Sequence, residues 1–211
     1  MVRMHGIRSF LMIFVLASVA FAQHATPCFP RGSFNSNARW NAAEAKSMAY
    51  DLQLLGEPCL FPLRADPRAE VYRFLWLRTF HPPISVRLEI QVSGNGTVTV
   101  TTMPGESGFP STLKGTPIVT SRLVGIDEVA KFRELLRKTQ FLMIPSTVRG
   151  DQQGTDGSDW TIEAVKGGRY HIASRWSPAV SRGPGKQAIA ELGKALAFDI
   201  GKFPVDPKDI Y

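Results

Sequence analysis

Long apolar runs are scarce in this chain of 211 residues. The most continuous covers residues 10–20, about eleven to thirteen residues with its flanks, short of the roughly twenty that a bilayer-crossing helix needs, which argues against a permanent anchor. Arg3 and Arg8 precede it and Ala20-Phe21-Ala22 follows it. That order of charge, apolar run and small residues is a secretory signal peptide cleaved after Ala22. Position 23 is Gln rather than Cys, so cleavage leaves no thiol to carry an N-terminal lipid. The expected mature chain begins at Gln23, has about 189 residues, and is exported to a periplasmic or extracellular setting. That length suits one domain, with or without an N-terminal appendage.

Cysteine and histidine are sparse, and recognisable catalytic motifs are missing. There is no G-x-S-x-G elbow, no phosphate-binding Gly-Lys loop and no dinucleotide fingerprint, which removes the easily recognised enzyme classes. The mature histidines, His24, His81 and His171, show no i, i+4 spacing, so a zinc site has no basis in local sequence. The two cysteines, Cys28 and Cys59, are even in number, and in an oxidising compartment such thiols pair. Neither adjoins a histidine that would lower its pKa, so a disulfide is expected rather than a nucleophile. Heptad seams and internal repeats are absent as well.

The formal charge is +7, and loss of the two leader arginines leaves about +5, spread along the chain. Export excludes genomic nucleic acid as a partner. The remaining candidates are anionic lipid, cell-wall polymer or an acidic protein, and the expected partner is a protein or another cell-envelope component.

After the leader, residues 23–66 are rich in Asn, Ala and Pro. Ser36 or Asn37 caps an expected helix running to about Leu55, with Trp40, Ala43, Met48, Leu52 and Leu55 near helical spacing and Gly56-Glu57-Pro58 as its stop. With Cys59 just beyond that stop, a bridge to Cys28 makes this region an N-terminal clasp. Residues 67–211 change to period two. Tyr72, Phe74, Trp76 and Phe80 share a strand face, and Ile84, Val86, Leu88, Ile90 and Val92 alternate with polar residues. Ser93-Gly94-Asn95-Gly96 turns into the β-branched run Thr97-Val98-Thr99-Val100-Thr101, which continues an antiparallel meander. A Gly/Pro/Ser-rich loop, residues 103–117 with Phe109 near its middle, leads to a strand at 118–123.

Gly125 stands at a helix N-cap, with Asp127 and Glu128 in the first turn and Val129, Phe132 and Leu136 as the buried stripe. Gly167-Gly168 is the turn of a second hairpin, and residues 186–200 read as a C-terminal helix burying Ile189, Leu192, Leu196 and Ile200. The expected architecture is α+β, an antiparallel sheet of about five to six strands packed by two helices, with a disulfide-fastened N-terminal helix.

The second hairpin holds the densest group of unusual side chains: Trp160, Glu163, Tyr170, His171, Arg175 and Trp176. A two-residue turn at Gly167-Gly168 places Trp160 opposite Arg175, Ala164 opposite His171 and Glu163 opposite Ile172. Glu163 and His171 then face opposite ways, which disfavours them as an acid-base pair. A stack of Arg175 on Trp160 explains those two structurally. The six residues form a candidate binding face; a hydrolase-like site using Glu163, His171 or Asp159 is the alternative, motivated by their clustering alone. A further candidate is the acidic loop carrying Asp151, Asp156 and Asp159, whose carboxylates suit calcium although the spacing is not that of an EF-hand. No other cofactor is expected.

The segment Asp156-Gly157-Ser158-Asp159-Trp160, with Glu163, Gly168-Arg169-Tyr170-His171 and Arg175-Trp176-Ser177-Pro178, resembles part of a family of exported bacterial proteins to which no activity is assigned. The run from Tyr72 to His81 is similar to the first strand of those proteins, and the resemblance spans residues 71–203. It implies a compartment and carries over no catalytic residue. Together these readings favour an exported, non-catalytic binding or interaction module.

Overall fold

A computed structural model describes residues 27–34, 37–148 and 154–211. The expected signal segment, His24 and Asp151 lie outside them. The chain is α+β, built on one antiparallel sheet of six strands in the order β4-β3-β2-β1-β5-β6. These are β1 (Glu70–Arg78), β2 (Ile84–Ile90), β3 (Gly96–Thr102), β4 (Ile118–Val124), β5 (Ser158–Lys166) and β6 (Arg169–Trp176). Three helices accompany it: α1 (Ala38–Leu54), α2 (Ile126–Lys138) and α3 (Lys186–Lys194), the last running on into a π-helical turn, Ala195–Ile200. Strands β1 to β4 form the meander, and β5 returns to the free side of β1, which leaves β1 at the centre of the sheet.

Alternation sorts the strands into two faces. On the front, Tyr72, Phe74, Trp76, Val86, Leu88, Val98, Trp160 and Ile162 meet Val129 and Phe132 of α2, and Ile189, Leu192, Leu196 and Ile200 from α3 and the π turn. Glu70 adds a polar tie at the rim, accepting two hydrogen bonds from Arg133 of α2 at 2.9 and 2.6 Å. Gly193 of α3 lies directly on Trp160: a Cβ there would stand 2.6 Å from Cε3 of the indole and 3.0 Å from Cε2 of Phe74. The indole is wedged between Phe74 and Trp76, each 4.9 Å away centre to centre, and has little room to give. Gly193→Ala gains about 1 kcal/mol of helix propensity but costs about 1–3 kcal/mol in overpacking, so we expect a net loss in chemical denaturation. A more stable variant would show that this contact relaxes freely.

The back face is covered by α1. Asn37 caps this helix, its Oδ1 accepting from the main-chain N–H groups of Arg39 and Trp40, and Phe29, Phe34, Met48, Leu52 and Leu55 pack on Leu75, Met103 and Ile172. The Cys28–Cys59 disulfide joins the two ends of this covering segment, with the Cα atoms 4.8 Å apart. Strand β1 is consequently buried on both sides.

Several expected positions shift. Trp40 and Ala43 are exposed on α1, and the inner face instead contains Asn41, whose Oδ1 accepts from the Phe34 N–H at 2.9 Å. Val92 and Phe80 lie beyond their strands and are exposed, because β2 ends at Ile90 and β1 at Arg78. Phe109 is exposed too, on a loop anchored by the Gly108 N–H to the Thr79 carbonyl. The C-terminal helix is α-helical only to Lys194, after which its hydrogen bonds lengthen to the π pattern.

Candidate functional site

Gly167 and Gly168, at φ +57° and +74°, make the two-residue primed turn that sets the β5–β6 register. Trp160 pairs with Arg175, Ala164 with His171 and Glu163 with Ile172, as the two-residue turn requires. The six hairpin candidates therefore divide. Trp160, His171 and Arg175 belong to the front face; Glu163, Tyr170 and Trp176 belong to the back. Glu163 and His171 share no cleft, and the alternative of an acid-base pair loses its geometric basis.

Glu163 is instead one end of a buried chain of charges beneath the segment that follows α1. Its carboxylate accepts from both Nε, at 2.7 Å, and Nη2 of Arg73, and from the Tyr170 hydroxyl at 2.7 Å. Arg73, on β1 and wholly buried, also donates to the Pro58 carbonyl at 2.6 Å and lies 3.6 Å from Glu57. Glu57 continues the chain to Arg87 of β2, at 2.9 Å, and to the Thr101 hydroxyl of β3, at 3.2 Å. Arg87 reaches on to Glu89. Every carboxylate lies beside a guanidinium, which is the condition for keeping ionised groups out of water. Desolvation and the adjacent Glu163 charge push the Tyr170 phenol far above its usual range, so it stays protonated and donates to Glu163. Glu57, Arg73 and Arg87 are absent from the sequence-derived candidates; three charged residues on the alternating positions of a strand and a helix stop read as solvent-facing.

On the front face, the His171 ring meets the edge of Phe141 at 4.8 Å. Burial holds its imidazole below the ordinary 6.5, with the nearby main chain at Ile144 and Phe141 opposing that shift. A base whose folded pKa is depressed contributes stability that is present above 6.5 and is lost as pH falls through it, because the unfolded chain takes up the proton first. We therefore expect the urea midpoint to fall on acidification from neutral pH, with a shallower fall in His171→Asn. His81, depressed in the same direction, contributes with the same sign, so its substitution should flatten the fall as well. An unchanged pH slope in His171→Asn would remove this histidine from the account.

Arg175 faces Trp160 in register, but its guanidinium is engaged by carbonyls and not by the indole. It donates to Pro145, Ser174 and Pro184 at 2.6–2.9 Å and to Ser146 at 3.2 Å. It thus clamps two loops onto β6. Trp176 forms a floor for Gly154 and Gly157; a Cβ at Gly157 would come within 2.6 Å of its ring. In the acidic loop, Asp156 is exposed and Asp159 is half-buried opposite Trp176. No group of three His, Cys, Asp or Glu side chains gathers into a metal-binding cluster among the described residues. A groove of about 620 Å³ lies elsewhere, lined by Pro178, Arg182, Gln187, Glu191 and Lys194 among others, and none of the hairpin candidates reaches it.

The two sheet edges differ sharply. Along β6, the Ser174 N–H donates to the Ser146 carbonyl, so a neighbouring segment meets that edge at one main-chain position. Along β4, five of the seven residues are exposed, Ile118, Val119 and Leu123 among them, and no described strand pairs with its outer side. Among the described residues no helix is long and apolar enough to cross a membrane. No protein-family model matches the sequence, and no curated protein matches it.

Proposed function

We propose that this is an exported, non-catalytic interaction protein that receives an extended segment of a cell-envelope protein along β4. The observation that carries this reading is the open edge itself. An unpaired strand presents a row of main-chain donors and acceptors, and proteins ordinarily blunt such edges with lysine, proline or a covering loop. Strand β4 has no lysine and no proline, and its one charged residue, Arg122, is held inward by Glu128 and the Ile200 carbonyl. Strand addition takes affinity from the main chain and specificity from alternate side chains, here Val119 and Leu123 on the back face. The hairpin adds to the same reading, since Glu163, one of the side chains that motivated catalysis, is engaged inside the fold by Arg73 and Tyr170.

A photo-crosslinking amino acid at Leu123, introduced in an exporting host, should trap a single envelope protein. Binding of that protein, once purified, should weaken by about tenfold or more in Val119→Lys/Leu123→Lys, which restores the missing edge charges. Unchanged affinity in that variant, or a crosslinked protein that does not bind when purified, would overturn the reading.

A further inference from the structure

A donor-rich corner stands at the end of the front face, where β1 finishes and β5 begins. Arg78 pairs in register with Ser158 there, and Trp76 with Trp160. Arg78 is buried, its guanidinium lies 4.5 Å over the Trp76 ring, and no carboxylate side chain stands within ion-pair distance of it among the described residues. Its Nη2 donates to the Pro82 carbonyl at 3.0 Å, whereas its Nε and the Trp76 Nε1 have no acceptor. Unmet buried donors of this kind are uncommon and costly, more so on a charged group.

The segment of residues 207–211 folds into this corner. The main-chain oxygen of Tyr211 accepts from Trp160 Nε1 at 2.8 Å and from the Ser158 hydroxyl. The Tyr211 hydroxyl accepts from the Phe80 N–H at 3.2 Å and lies 3.1 Å from His81 Nδ1. Its ring sits about 6 Å from those of Phe80 and His81. Asp209 approaches the other His81 nitrogen at 3.6 Å. The chain's own segment therefore supplies an oxygen acceptor and an aromatic ring, and two donors beside them remain unanswered.

We propose that this corner binds an aromatic carboxylate and that residues 207–211 hold its place in the free protein. A carboxylate is an acceptor with two oxygens and a full negative charge. Such a group adds acceptors for the unpaired donors of Trp76 and Arg78 beside Trp160 and Ser158, and brings a charge to a buried guanidinium on which Asp209 acts from beyond ion-pair distance. The aromatic half follows from the position of the Tyr211 ring. This site is separate from the β4 edge and does not depend on it.

The indole N–H resonances of Trp76 and Trp160 in the isotope-labelled full chain report occupancy directly. N-acetyl-L-tyrosine should shift both and leave Trp40 and Trp176 in place; N-acetyl-L-tyrosinamide should bind at least about tenfold more weakly, since it loses the charge-assisted bonds. Tyr211→Ala should tighten binding by releasing the resident segment, and Arg78→Gln should abolish it. A free-acid peptide with the sequence of residues 207–211 separates the sources: preference for the peptide identifies the end of a polypeptide, and equal binding identifies a small aromatic acid. Absence of shifts at millimolar ligand in both the unaltered chain and Tyr211→Ala, or equal binding of acid and amide, overturns the proposal. The acid–amide comparison needs no variant, so it decides even if Arg78→Gln does not fold.

Discussion

Glu163→Ala is expected to lower the unfolding free energy by about 3–5 kcal/mol, the largest single-residue effect we anticipate in this protein. The substitution leaves Arg73 ionised and buried, with its Nε lacking its acceptor, and takes from the Tyr170 hydroxyl its partner as well. For a chain of this size that corresponds to a melting temperature lower by roughly 10 °C. Arg73→Met should cost a similar amount, since it strands Glu163 in the same way. The double change Arg73→Met/Glu163→Leu should recover most of the loss, because a well-packed apolar pair commonly matches or exceeds a buried ion pair. Urea denaturation of the four proteins closes the cycle. Single variants that lose less than about 1 kcal/mol would mean that water reaches the pair and screens it.

Loss of the disulfide is the second large effect. Cys28 and Cys59 are 31 residues apart, and closing a loop of that size restricts the unfolded chain by about 3.5 kcal/mol on the entropy model. Cys28→Ser should therefore melt well below the oxidised parent while keeping the same sheet, because the front-face core owes nothing to α1. Equal melting under oxidising conditions would show that the bridge adds no stability. The two effects are coupled through position. Glu57 and Pro58 precede Cys59 and both face Arg73, so a bridge that no longer holds them lets water to the guanidinium. Glu163→Ala should cost less in the Cys28→Ser background than in the parent, and that difference measures the coupling.

The sheet was legible because its strands repeat every second residue and the turn glycines stand at its hairpins; the Gly167-Gly168 pair alone predicted which hairpin residues face each other. The caps at Asn37 and Gly125 were legible from residue type. The back-face charges were not. Arg73 sits between Tyr72 and Phe74 and reads as the wet side of an amphipathic strand, since nothing local states that a segment ending at Glu57 will cover it. Its partner Glu163 is 90 positions away. On α1 the helical spacing points inward at Trp40, whereas the inner position belongs to Asn41, which is satisfied by a main-chain N–H and has no apolar signature. Tyr211 stands 53 and 51 positions from Ser158 and Trp160, its partners at that corner, and nothing local in the sequence announces the contact.

The contrast between the two sheet edges sets a limit on how this protein can assemble. A chain with adhesive edges on both sides grows without end, each added copy exposing another place to attach. Here the segment at Pro145 and Ser146 occupies the β6 side through the Ser174 amide and the Arg175 clamp. On the proposed reading, a guest strand on β4 finds no equally open counterpart on the β6 side, where the Ser174 amide already has a partner. On that reading, further growth through this sheet would have to displace the segment at Pro145 and Ser146 from β6.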